Sequence, residues 1–209
     1  MMKKVLVVDY GVGNIKSICR ALEVAGGQVS LIDDKIQISK YTHIVMPGVG
    51  TASVAMDYLR QRNLDQFILN FVNEGYPVLG ICLGMQLFST NSFENGVTKC
   101  LNLIPGNVQK LRKDIKSPNR LPRIGWFSNQ IIEPSETLFS EISVEERFYY
   151  SHNYIFEPEI LDGLIATTGN SLCASIRKNN VVGIQFHPEK SGAPGIKLLS
   201  NFLNTNERI

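Results

Sequence analysis

Pro77-Val78-Leu79-Gly80-Ile81-Cys82-Leu83-Gly84-Met85-Gln86 is a short apolar run that reaches a cysteine between two glycines and continues into a helix-like segment. A strand that turns sharply into a helix reads this way. Side chains two residues before and after the turning residue would collide with the turn, so Gly80 and Gly84 stand where only glycine fits. Cys82 would sit at the first turn of the helix, where unpaired amides and the helix dipole favour the thiolate, the reactive form. The amide of Leu83, next in the chain, would face an oxyanion forming on an attacked carbon. The same stretch also fits a buried cysteine in a tight junction with no chemistry.

A second apolar run, Val181-Val182-Gly183-Ile184-Gln185-Phe186, delivers His187-Pro188-Glu189 at its end. His187 can take a thiol proton and return it to a leaving amine, while Glu189 orients the imidazole and stabilises its charged form. Pro188 stiffens the turn between them. A third run, Thr42-His43-Ile44-Val45-Met46, ends in the glycine-bracketed loop Pro47-Gly48-Val49-Gly50. Glycine tolerates peptide orientations that other residues resist, so this loop can present or withdraw a backbone amide. Three such loops at the ends of three parallel strands fit a site at the carboxyl edge of an open α/β sheet.

The spacing predicts strands over Lys4–Asp9, Gln28–Ile32 and His43–Met46. It predicts a helix over Asn14–Ala25 and one long helical region from Met56 to the Gly75 stop. Past about Asn95 short strand-like runs take over: Val108–Leu111, Arg147–Phe156, Leu164–Thr168, Leu172–Ile176 and Val181–Phe186. A closing helix runs from about Pro194 to Leu203. The fold class is α/β: a mostly parallel twisted sheet with helices on both faces plus an antiparallel extension, in one domain spanning 1–209. The loosest stretch is Asp114–Pro122, with Lys116 and Arg120.

Hydrophobic content of 44% and charged content of 19% are those of a soluble globular chain. A net charge of +2 is too small to argue for nucleic acid by bulk electrostatics. No apolar run approaches the ~20 residues of a membrane span. Met1-Met2-Lys3-Lys4 leads into too short an apolar stretch for a secretory signal. The cysteines Cys19, Cys82, Cys100 and Cys173 show no paired short spacing, so neither disulfides nor a metal site is expected, and a reducing cytoplasm is the default.

With elbow, triad candidates and loop in view, the chain resembles the class I glutamine amidotransferases. The resemblance runs from Asp9-Tyr10-Gly11-Val12-Gly13-Asn14 through Pro47-Gly48-Val49-Gly50 and the elbow to Gly183-Ile184-Gln185-Phe186-His187-Pro188-Glu189-Lys190-Ser191. Within that group it looks like the histidine-pathway branch, the glutaminase subunits of imidazole glycerol phosphate synthase. The resemblance implies that Cys82 attacks the side-chain amide of L-glutamine, ammonia leaves, and water hydrolyses a glutamyl thioester, with no cofactor. It implies that the Val49 amide joins that of Leu83 in the oxyanion hole, and that Gly50 and Gln86 hold the substrate's amino-acid end. His152 and Asn153 match a substrate-side stretch, with Asn153 where serine is usual. It further implies a heterodimer with a (β/α)₈-barrel cyclase, docked over a face carrying Asn14, Arg123, Trp126 and Lys190. Trp126 matches a residue lining the ammonia exit.

Leu121-Pro122-Arg123-Ile124-Gly125-Trp126-Phe127 departs from the family's usual Pro-His-Met-Gly-Trp-Asn, with Arg123 for the histidine and Phe127 for the asparagine. That departure keeps open a paralogue that feeds ammonia to a sugar amidotransferase in surface-polysaccharide synthesis. Two further alternatives are a non-catalytic module, against which the retained Cys82, His187 and Glu189 argue, and another cysteine hydrolase of the same fold, such as a peptidase or a gamma-glutamyl hydrolase.

Overall fold

The computed structural model describes residues 2–11, 15–32, 40–111, 121–133, 136–169 and 171–205. Strand and helix alternate through the first part of the chain: β1 (Lys3–Val7), α1 (Ile15–Val24), β2 (Gly27–Leu31), β3 (His43–Gly48), α2 (Ala52–Gln61), α3 (Leu64–Asn73), β4 (Val78–Cys82) and α4 (Leu83–Gln86). Short strands then dominate: β5 (Asn91–Ser92), β6 (Thr98–Lys99), β7 (Gly106–Lys110), β8 (Arg123–Ser128), β9 (Gln130–Ile131), β10 (Arg147–His152), β11 (Tyr154–Pro158), β12 (Leu164–Thr168), β13 (Leu172–Lys178) and β14 (Val181–Ile184). Helix α5 (Gly192–Leu203) closes the fold.

The main sheet has eight strands in the order β2-β1-β3-β4-β14-β13-β12-β9. Pairing is parallel from β2 to β14 and antiparallel from β14 to β9. Successive side chains on a strand point to opposite faces, and these central strands are apolar on both. Leu6, Ile44, Met46 and Val78 pack with Met56, Leu59, Ile68 and Phe71 of α2 and α3. Val5, Val7, Val45, Leu79 and Ile81 pack with Ile18 and Leu22 of α1 and Leu199 and Phe202 of α5. Each of these side chains, fully withdrawn from water, contributes roughly 1.5–3 kcal/mol, so the two layers are held by many comparable contacts.

The structure differs from the sequence expectation in three places. The long helical region is two helices, because Asn63 between them sits in the left-handed region at φ 55°. At 3.6 residues per turn, the five steps from Leu59 to Leu64 rotate the apolar face by about 140°, so one straight helix could not bury both residues. The run Arg147–Phe156 is also two strands. β10 pairs with β8 in a separate two-stranded sheet, and β11 pairs with β7 in a four-stranded sheet of order β11-β7-β5-β6. Asn153 stands at the crossing between them. Finally, Val181–Ile184 does not belong to the antiparallel extension alone, since β14 runs parallel to β4, with Gly183 beside Gly80 and Ile184 beside Ile81.

This last pairing positions the site. Gly48 at the end of β3 lies opposite Cys82 at the end of β4, and the residue after Ile184 stands level with Cys82 from the other side. The single turn of α4 is laid down over glycines. A Cβ on Gly80 would come within 2.6 Å of the Met85 amide nitrogen, and one on Gly84 within 1.7 Å of the Met46 carbonyl oxygen. Backbone cannot yield at such distances, which is why the elbow carries glycine at both positions.

Candidate active site

Cys82 turns the chain at φ 54° and ψ −105°, a strained conformation for a residue with a Cβ. Strain of this kind costs on the order of 1–3 kcal/mol and persists only where the surroundings enforce it. Here Met46, Gly80 and Gly84 enforce it. The helix that follows, Leu83–Gln86, is a single turn. It therefore supplies the local amide of Leu83 and little macrodipole, and the charge environment of the sulfur comes from side chains.

The first of these is His187. Its backbone is fixed by a bridge to β10, with the His187 amide donating to the Tyr149 carbonyl at 2.8 Å and its own carbonyl accepting from the Ser191 hydroxyl. Pro188 opens a short 3₁₀ turn that brings Glu189 back, so that Nδ1 of His187 and Oε1 of Glu189 lie 2.9 Å apart. Both side chains are nearly shielded from solvent. Burial works against a charged imidazole. The Cys82 sulfur first, and then the Glu189 carboxylate, outweigh that penalty and push the His187 pKa up to about 10. Nε2 of His187 is buried and makes no hydrogen bond of good geometry in this state. Of the groups around the imidazole, Cys82 does most to favour its protonated form, which places imidazole and sulfur as partners for proton exchange.

The second is Gln185, which donates from Nε2 to the Cys82 sulfur at 3.6 Å. It was not expected from the sequence, where it reads as one polar residue in an apolar strand. Its Oε1 accepts from Nε2 of Gln86 at 3.1 Å, and that nitrogen also donates to the Tyr154 carbonyl at 3.0 Å. The same carbonyl meets Nδ1 of His152 at 2.8 Å.

A cavity of about 300 Å³ opens over the sulfur, lined by Val49, Gly50, Cys82, Leu83, Gln86, His152 and Asn153. All seven residues assigned from the sequence to the nucleophile, oxyanion hole and substrate are brought together there. Glu94 also lines it, and the sequence reading missed that residue. One oxygen of Glu94 accepts from the Ala52 amide at the start of α2, while burial raises its carboxyl pKa against that bond. The only hint lay in Asn95 and Gly96, whose positive φ values fold a turn that carries Glu94 inward. His152 is pushed down to about 4, chiefly by burial, with the Tyr154 carbonyl opposing and the Arg123 and His187 charges adding to the fall. It is therefore neutral in the working range and is no general acid.

The residues assigned to a docking face do not stay together. Trp126 is 58% exposed and Lys190 is exposed, and both lie against Tyr149, at 4.9 Å between ring centroids and 5.3 Å from Nζ to the ring. Arg123 is 3% exposed and is not on that surface. Alternation along β8 turns Arg123 inward while Ile124 and Trp126 face out. Its guanidinium stacks on Phe127 at 3.8 Å and donates to the Thr168 hydroxyl at 3.0 Å. The paired departures Arg123 and Phe127 are thus one internal stack. Asn14, and residues 114–120 of the loose stretch with Lys116 and Arg120, lie outside the described residues. No helix among the described residues is long and apolar enough to cross a membrane.

A family model described as "Glutamine amidotransferase class-I" matches residues 6–205. Among curated relatives, the chain is 37% identical over 201 residues to imidazole glycerol phosphate synthase subunit HisH of Chlorobaculum tepidum, covering 95% of this chain and 98% of that one. It is 36% identical to the subunit of the same name from Synechocystis, covering 97% and 96%, and 38% identical to that of Methylococcus capsulatus, covering 97% and 96%. Among solved structures, PurLQS from Thermotoga maritima aligns with a TM-score of 0.73 at 22% identity, covering 98% of this chain and 99% of that one. A glutamine amidotransferase from the same organism aligns at 0.64 and 19%, covering 90% and 77%. At these identities the structural likeness speaks for the fold alone.

Proposed function

The chain belongs to the class I glutamine amidotransferase family, and from that premise we propose that Cys82, His187 and Glu189 are its catalytic triad. Glutamine hydrolysis within an imidazole glycerol phosphate synthase, in histidine biosynthesis, is the activity that its relatives support. The surface-polysaccharide alternative is not favoured by relatives that share one name over nearly the full chain. The observation that carries the residue assignment is the convergence of His187 and the cavity on the strained Cys82.

The thiolate of Cys82 attacks the side-chain carbonyl carbon of glutamine, and the carbonyl oxygen becomes an oxyanion facing the amides of Leu83 and Val49. His187 gives its proton to the leaving nitrogen, so ammonia departs and a glutamyl thioester remains. A water molecule loses a proton to His187 and attacks the thioester, and glutamate leaves as the thiolate re-forms. Both Nε2 hydrogens of Gln86 are engaged within the protein, which leaves its Oε1 to accept from the substrate's ammonium. Glu94 supplies the opposite charge for the same group, and Gly50 lets the substrate approach the backbone. Glu94→Gln keeps an acceptor for Ala52 but loses the charge, and a hydrogen bond to a charged group is worth about 1.5–3 kcal/mol. Steady-state kinetics should show KM rising roughly 10–100-fold with kcat little changed, the pattern of lost uniform binding. An unchanged KM would leave Glu94 as a cap on α2 only.

The partner reading is a heterodimer with a (β/α)₈-barrel cyclase seated over the face of Trp126, Tyr149 and Lys190. That face adjoins the triad through the Tyr149–His187 bridge. Ammonia is mostly protonated in neutral water and so a poor nucleophile, which makes enclosed delivery chemically useful. Docking favours the loop state in which the Val49 amide completes the oxyanion hole, a population shift in which one donor is worth ~10²–10³-fold. Glutaminase turnover, followed as glutamate release, should therefore rise by that order when the cognate cyclase is added to the purified chain. Full turnover by the chain alone, unaltered by any cyclase, would contradict the partner reading.

A further inference from the structure

The polarity of the buried amide chain behind the sulfur is fixed by a single atom. The Tyr154 carbonyl can only accept, so the Gln86 amide must turn its nitrogen toward it. That nitrogen carries two hydrogens, and the second points to Gln185, whose oxygen must then be the acceptor. The Gln185 nitrogen is left facing Cys82 with a hydrogen and no alternative role. The assignment of oxygen and nitrogen in both amides thus follows from the carbonyl and not from a choice at the sulfur. Gln185 is fully buried and stands just past the end of β14, two residues before His187.

We propose that Gln185 is a further catalytic residue of this glutaminase: its Nε2–H hydrogen-bonds the Cys82 sulfur and favours the thiolate, and Gln86 holds it in the orientation that donates. A neutral donor suits this place. It stabilises negative charge on sulfur without adding a second titrating proton beside His187. It also does the work that a one-turn helix is too short to do. Among the described residues, the other titratable groups around the sulfur are His187 beyond β14, Tyr10 beyond β1, His152 on β10, and Glu94 and Tyr154 at the cavity wall, while α4 contributes none. Of these, Tyr10 is raised by burial and stays protonated, and His152 is neutral. Gln185 is therefore the neutral donor in place when the substrate arrives.

The proposal rests on Cys82 being the nucleophile, and its test separates the two claims. The purified chain is alkylated with iodoacetamide across a range of pH, and modification of Cys82 is followed by peptide mass spectrometry. Gln185→Glu keeps the size and the acceptor for Gln86 but turns an acceptor toward the sulfur. Gln185→Leu removes donor and acceptor together. Each should move the pH midpoint of Cys82 alkylation upward by about one unit, so that below the midpoint the rate at a given pH falls about tenfold, the size of one hydrogen bond to a charged acceptor. Glutamine turnover should fall with it in kcat, while KM for Gln185→Glu stays within about twofold, because the Gln86 bond is retained. A purely structural role would instead lower the thermal midpoint and raise KM with no shift in the alkylation profile. Wild-type alkylation profiles in both folded variants would overturn the proposal. Glutamine hydrolysis by Cys82→Ala would overturn the nucleophile assignment itself, and the proposal with it.

Discussion

Cys82→Ala is expected to lower glutamine hydrolysis by about 10⁵–10⁶-fold, the scale seen when the nucleophile of a catalytic triad is removed, while the protein stays folded. No other thiol can substitute. Cys19, Cys100 and Cys173 are all pushed up chiefly by burial, Cys173 to about 12, and none lines the cavity over the elbow. Alanine has the same Cβ and the same backbone preferences at φ 54°, so the elbow's strain is unchanged and circular dichroism should match the parent. Retention of appreciable turnover by this variant, measured with its cyclase, would contradict the triad.

The second large effect is that of His187→Ala, which removes both the charge partner of the thiolate and the proton given to ammonia. General acid–base catalysis of this kind contributes roughly 10²–10⁴-fold. Glu189→Gln keeps an acceptor for Nδ1 and should lose less. The pH profile tests the same assignment by a second route. Because the His187 pKa is raised to about 10, its proton is present throughout the neutral range and is lost as pH rises through that value. The kcat/KM of the parent should therefore fall on the alkaline side near pH 10, and the limb should be missing from His187→Ala. Equal, minor effects of the two substitutions would mark His187-Pro188-Glu189 as an ordinary turn.

Much of this site is written locally. Gly80 and Gly84 announce the elbow because a side chain at either place meets backbone, and His187-Pro188-Glu189 announces its own geometry because two residues and a proline fix the distance between imidazole and carboxylate. What the sequence did not disclose depends on partners far along the chain. Whether Val181–Ile184 pairs parallel or antiparallel is decided by β4 on one side and β13 on the other, and both happen. Arg123 reads as a surface cation until β8 pairs with β10 and its alternation turns the guanidinium onto Phe127. Gln185 has no local signature and Glu94 only the Asn95-Gly96 turn beside it, since each owes its role to a residue about 100 or 40 positions away. The break at Asn153 is of the same kind, because the run Arg147–Phe156 is apolar enough for one strand and only its two different partners divide it.

The central claim, that a glutamine side chain is opened by Cys82, is tested most directly by covalent labelling with a diazoketone or chloroketone analogue of glutamine, followed by peptide mapping. The account predicts one label per chain, placed on Cys82, suppressed by excess glutamine and missing from Cys82→Ala, with Cys19, Cys100 and Cys173 unmodified. A chain that hydrolyses glutamine while Cys82 stays unlabelled, or that carries the label on another residue, would contradict it.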